Sequence, residues 1–134
     1  MLQATLSGDE ETVAELIEQA HQANASILKY NDENALSCVI SLAYYSAQKN
    51  YTLHREMPAG KGFADIMFEP NRNCDLPALI VELKWGHSAE EAVEQIKQKD
   101  YLDCLKNYSG EVLLVGVNYD KEKRHTCRIE RAVI

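Results

Sequence analysis

A chain of 134 residues is the length of one ordinary domain, and a hydrophobic content of 46% is enough for one packed core. The net charge of −7 is concentrated: residues 1–35 carry seven acidic residues against one lysine, and the remainder is close to neutral. This balance lacks the basic stripe that strong unaided nucleic-acid binding needs, and neither a secretory leader nor an apolar run of membrane-spanning length is visible.

The chain opens on a helical pattern. Ser7-Gly-Asp-Glu10 has the form of a capping box, and Val13, Leu16, Ile17 and Ala20 follow at helical spacing. A first helix is expected over about residues 8–24, with an acidic outer face. Asn31 or Asp32 then caps a second helix. Its apolar stripe is Leu36, Val39, Ile40, Ala43, Tyr44 and Ala47, and it ends near Lys49-Asn50.

Three strand-like runs come next. Tyr51 to Met57 alternates, Pro58-Ala-Gly-Lys-Gly62 is a turn cluster, and Phe63 to Phe68 is the second strand. A polar loop over 70–77 leads to Ala78–Trp85, which is apolar on both faces apart from Glu82 and Lys84 and reads as a central, doubly covered strand. Gly86-His87 breaks it. Ser88-Ala-Glu-Glu91 is a second capping box, and Ala89, Ala92, Val93 and Ile96 mark the buried side of a helix reaching about Lys106. Gly110 marks a stop, Glu111 to Asn118 is a buried strand, and His125 to Val133 is the last. The order α-α-β-β-β-α-β-β predicts an α/β domain with a mixed sheet and helices on its faces.

The four cysteines include no Cys-x-x-Cys pair and suit a reducing cytoplasm. His125-Thr-Cys127 offers two metal-ligating side chains, but no third or fourth ligand is visible, so both read as side chains of the last strand.

The chemistry concentrates on the third strand. Alternation puts Glu82 and Lys84 on one side and Leu79, Val81, Leu83 and Trp85 on the other. Charges on a buried strand must pair or line a cleft. Asp65, unusual within a strand, lies beside Glu82 if the second and third strands form an antiparallel pair. Two adjacent carboxylates repel unless a cation sits between them, and oxygen ligands suit Mg²⁺ or Mn²⁺. Glu33 lies about 50° from the centre of the second helix's stripe and either reaches toward the sheet or simply complements the helix dipole. Gln95 and Lys99 share one flank of the following helix, facing either the cleft or solvent.

Three segments, Gly62-Phe-Ala-Asp65-Ile-Met-Phe, Pro77-Ala-Leu-Ile-Val-Glu82-Leu-Lys84-Trp85 and Ala92-Val-Glu-Gln95-Ile-Lys-Gln-Lys-Asp-Tyr101, together resemble the PD-(D/E)xK nuclease superfamily. The resemblance covers roughly residues 25–130. More narrowly, it is to the nuclease-like domain that follows an AAA-type ATPase-like domain in bacterial proteins. It implies a restriction-endonuclease-like fold over residues 1–134, as a single domain of the kind that also occurs as a piece of a longer ATPase-containing protein. It further implies Mg²⁺- or Mn²⁺-dependent hydrolysis of nucleic acid, DNA in preference to RNA. Asp65 and Glu82 would hold the metal, Lys84 would position or polarise the attacking water, and Glu33 and Gln95 would match the helix-borne acid and glutamine of the family. Ala64 stands where the family usually has proline. The alternative is a catalytically inactive module of the same fold that serves interaction or regulation beside an ATPase. No P-loop, dinucleotide fingerprint or Gly-x-Ser-x-Gly elbow supports a small-molecule enzyme.

Overall fold

Five strands form one mixed sheet in the order β1-β2-β3-β4-β5 in a computed structural model that describes residues 1–24, 40–41, 43–58, 63–72, 74–98, 110–120 and 124–133. The strands are β1 (Tyr51–Pro58), β2 (Phe63–Pro70), β3 (Ala78–Trp85), β4 (Glu111–Asp120) and β5 (Arg124–Val133). Helices α1 (Leu2–Leu6), α2 (Glu10–Asn24) and α3 (Ala89–Gln98) accompany them. Neighbouring strands run antiparallel except β3 and β4, which are parallel. That pairing needs a crossover, and α3 lies within it.

β3 is the middle strand, as its unbroken apolar run predicts, and its first six residues are buried. The two sides of the sheet carry separate cores. On one, Val13 and Ile17 of α2 pack with Tyr44, Ile66, Leu79, Val81, Leu83, Val115 and Val117. On the other, Val93 and Ile96 of α3 pack with Met67, Ala78, Ile80, Val112 and Leu114. Each large aliphatic side chain so buried contributes roughly 1.5–3 kcal/mol. Alternation along β3 therefore assigns Glu82 and Lys84 to the α3 side. The acidic α2 lies on the opposite side.

The first helix differs from its expectation. The Ser7/Glu10 capping box does not form. Ser7 ends the separate helix α1, with its hydroxyl donating to the Ala4 carbonyl, and Gly8 turns the chain at φ +75°. Asp9 is the cap of α2: its carboxylate accepts from the Thr12 backbone N–H (3.2 Å) and hydroxyl (2.7 Å). Glu10 instead turns inward, and its Oε2 accepts from the backbone N–H of Ile129 on β5. α1 is held to the core by Thr5, whose hydroxyl lies 2.6 Å from that of buried Tyr44. Burial raises the Tyr44 phenol above its ordinary value, against the opposing effect of the Thr5 bond.

Most of the expected second helix lies outside the described residues, including Glu33 and Cys38. Within it, Ile40, Ser41 and Ala43 are helical and Tyr45–Lys49 forms a 3₁₀ turn. The cap of α3 is Ser88, whose Oγ accepts from the Glu91 N–H at 3.1 Å. Glu91 does not complete a reciprocal box there. Its carboxylate sits 3.3 Å from His87 Nδ1. Lys99 and the helix end expected near Lys106 lie outside the described residues. Among those described, no helix is long and apolar enough to cross a membrane.

Candidate active site

The β2–β3 register pairs Ile66 with Val81, Met67 with Ile80 and Phe68 with Leu79. One step further along the same register sets Asp65 opposite Glu82. The pairs of this register reach Ile66 and Val81. Beyond them, Asp65 Oδ2 accepts a 2.8 Å hydrogen bond from the backbone N–H of Leu83. A side-chain carboxylate of β2 thus bonds the backbone of β3. Met67 and Ile80 lie in the α3-side core, so alternation puts Asp65 and Glu82 on that same side of the sheet.

Glu82 is only 2% exposed. Its Cα partner on β4 is Gly116, and α3 passes directly over that glycine. A Cβ there would collide with the Ala89 carbonyl oxygen and stand 2.9 Å from Val93 Cγ2 and 3.0 Å from Ala92 Cβ. The missing side chain lets α3 approach the sheet beside Glu82, so the carboxylate lies beneath a helix rather than at an open surface.

Lys84 is partly exposed and reaches a cleft of about 620 Å³ between the end of β3 and α3. Gln95 of α3 lines the same cleft, as do His87, Glu91 and Glu94. Gln95 and Lys84 thus border one cleft, which neither Asp65 nor Glu82 lines. The far wall of the cleft is acidic.

Asn118 is a contributor that sequence reading did not single out. It is buried, and it is the β4 partner of Lys84. Its Oδ1 accepts from the His87 N–H and its Nδ2 donates to the His87 carbonyl, both at 3.1 Å. With the Gly86 N–H donating to the Tyr119 carbonyl at 2.8 Å, this fastens the turn at the mouth of the cleft.

A second cluster lies on the opposite, α2 side. Glu18 and His21 of α2 meet His125 of β5, with one ligand atom from each within 4.8 Å of the others. His125 Nδ1 is 2.6 Å from Glu18 Oε1. Burial pulls the His125 imidazole below its ordinary value, outweighing the opposing pull of Glu18. For Glu18, burial works against ionisation, but the bond and charge of His125 and the charge of Arg124 prevail and lower it. His125 is a side chain of the last strand, as expected, and the fold adds candidate ligand neighbours that were not visible in the sequence. The partners come from α2, and Cys127 is not among them.

A mixed sheet with helices on both sides, an Asp on one strand and Glu-x-Lys on the next, defines the restriction-endonuclease-like α/β class. Comparison with known families matches residues 31–129, and the chain belongs to the PD-(D/E)XK nuclease superfamily. A search of curated proteins finds no match.

Proposed function

We propose that this protein is a divalent-metal-dependent nuclease that hydrolyses phosphodiester bonds of nucleic acid, DNA in preference to RNA. The observation that carries the reading is the placement of Asp65 and buried Glu82 on one side of the sheet, with Lys84 leading from them into the cleft. Two carboxylates on adjacent strands and one side of the sheet form an oxygen donor set that fits Mg²⁺ or Mn²⁺. When bound there, the ion would supply Lewis-acid polarisation of the phosphate and of a water. Asp65 and Glu82 are its proposed ligands. Lys84 places positive charge where charge develops on the phosphate. Gln95 faces the same cleft and would orient substrate or water by hydrogen bonding. Glu33 remains the proposed helix-borne acid of the site. The position of α2 supports this reading, because its acidic residues face the other side of the sheet and are partly matched by His125, Arg124 and Arg128 of β5.

The test is cleavage of labelled DNA and RNA with Mg²⁺ or Mn²⁺. Wild type should cut, and Lys84→Ala and Asp65→Asn should each lose roughly a hundredfold or more. Equal activity in all three, or none in wild type on either substrate, overturns the proposal.

A second reading is an inactive module of the same fold that serves interaction or regulation, with an AAA-type ATPase-like domain as the proposed partner. The burial of Glu82 and the acidic wall formed with Glu91 and Glu94 favour it. A melting temperature that rises with Mn²⁺ concentration in wild type but not in Asp65→Asn supports the nuclease. A flat response in both supports the module.

A further inference from the structure

The Glu18–His21–His125 cluster is separate from the proposed nuclease centre, since α2 lies on the opposite side of the sheet from Asp65, Glu82 and Lys84. We propose that these three side chains form a binding site for a transition metal of the Zn²⁺ class, which fastens α2 to the edge strand β5.

Geometry is the first support. Glu18 and His21 are three residues apart on one helix and therefore share a face. This Glu-x-x-His spacing is one that helices use to present metal ligands inward. The third ligand arrives from β5, so the set spans two elements that are distant in sequence. Tetrahedral zinc with bonds of about 2.1 Å places its donors about 3.4 Å apart. The donor atoms here already lie within 4.8 Å of one another, and a 2.6 Å hydrogen bond joins His125 to Glu18. Small side-chain rotations would reconcile these spacings with coordination, and the metal would then replace that hydrogen bond.

The chemistry of the donors selects the ion. Two imidazoles and one carboxylate are a borderline donor set, preferred by Zn²⁺ and its neighbours over Mg²⁺. The surroundings are partly aromatic. The Tyr119 ring lies 4.9 Å from that of His125 and 6.0 Å from that of His21, and Trp85 stacks on Tyr119 at 4.6 Å. Such walls exclude water from one side of the site. Access remains from the Glu18 side, whose side chain is 21% exposed. Arg124 approaches Glu18 Oε2 to 4.0 Å and is itself largely exposed, so it can turn away to solvent. Three protein ligands leave a fourth position for water.

The experiment is calorimetric titration of the metal-stripped full chain with Zn²⁺, paired with the visible spectrum of the Co²⁺ form. With excess Mg²⁺ present to fill the nuclease carboxylates, one ion should bind per chain, with a Co²⁺ spectrum of low-coordinate geometry and no thiolate-to-cobalt band. His21→Ala, a partly exposed position, should weaken binding roughly tenfold or more. His125→Gln should do the same, and Asp65→Asn should leave the affinity unchanged. The proposal is overturned by absence of zinc binding, by unchanged affinity in His21→Ala, by a thiolate band, or by loss of binding in Asp65→Asn. That last result would place the ion at the nuclease carboxylates, whereas failure of DNA cleavage alone leaves this site standing.

Discussion

Asp65 ties β2 to β3 by accepting the Leu83 backbone N–H at 2.8 Å, so a proposed metal ligand is also a structural acceptor. Its two roles are separable, because an amide oxygen can accept the same bond but is a much poorer ligand for a hard cation.

Asp65→Asn should therefore keep the stability of the wild type to within about 1 kcal/mol while abolishing metal-dependent cleavage. Asp65→Ala should lose cleavage and also leave the N–H of buried Leu83 without its acceptor, at a cost of about 1–3 kcal/mol. Urea unfolding of the three proteins beside the cleavage assay checks this. Equal stability of the Ala and Asn variants would show that the hydrogen bond contributes little.

Gly116 sets how closely α3 can lie over Glu82. Gly116→Ala must push the Ala89 carbonyl and the Val93 and Ala92 side chains outward. Two of these obstacles are backbone or helix-rooted, so relief requires moving α3 as a body. Overpacking of this kind costs typically 1–3 kcal/mol, and Gly116→Val should cost more. The melting temperature should fall in that order. Cleavage by Gly116→Ala should fall as well, through displacement of Gln95 relative to Lys84.

Asn118 braces the turn after β3 through its paired bonds with His87. Asn118→Leu preserves volume but removes both partners from the His87 backbone. Each partly buried group so stranded costs roughly 1–3 kcal/mol. Because Asn118 is the Lys84 partner in the β3–β4 register, the variant should also loosen the cleft mouth. Amide hydrogen exchange at His87 should accelerate relative to wild type, a readout that global destabilisation alone spreads across the whole sheet.

Glu82 and Lys84 were legible because their signal is local: two charges at alternate positions of an apolar run can only share one side of a strand. Ser88 was legible for the same reason, since a cap needs only its next three residues. Ser7 competed with Asp9 for the start of α2, and the outcome turned on α1, a short helix with little periodic pattern of its own to announce that Ser7 was already spent as its end. Asn118 became significant only through the parallel β3–β4 register, which depends on a crossover. His125 could not be joined to Glu18 from sequence, because 107 residues separate them and no period links a helix face to a distant edge strand.

The cap of α2 carries a pH signature of its own. The Thr12 hydroxyl and backbone N–H both donate to the Asp9 carboxylate, and together they hold its pKa below the ordinary 3.8, against a small opposing effect of desolvation. A depressed carboxylate pKa means that the unfolded chain binds the proton more readily than the folded one. The contribution is therefore fully present above the ordinary aspartate value and is lost as pH falls through the lower, folded value. Asp9→Ala should be less stable than wild type at neutral pH, and the difference should shrink as the pH is taken below the ordinary value. Asp9→Asn keeps an uncharged cap, so it should hold most of the stability and lose this component of the acid dependence. Melting temperatures of the three proteins measured from neutral pH into acid check the sign. A gap between wild type and Asp9→Ala that widens in acid would reverse it.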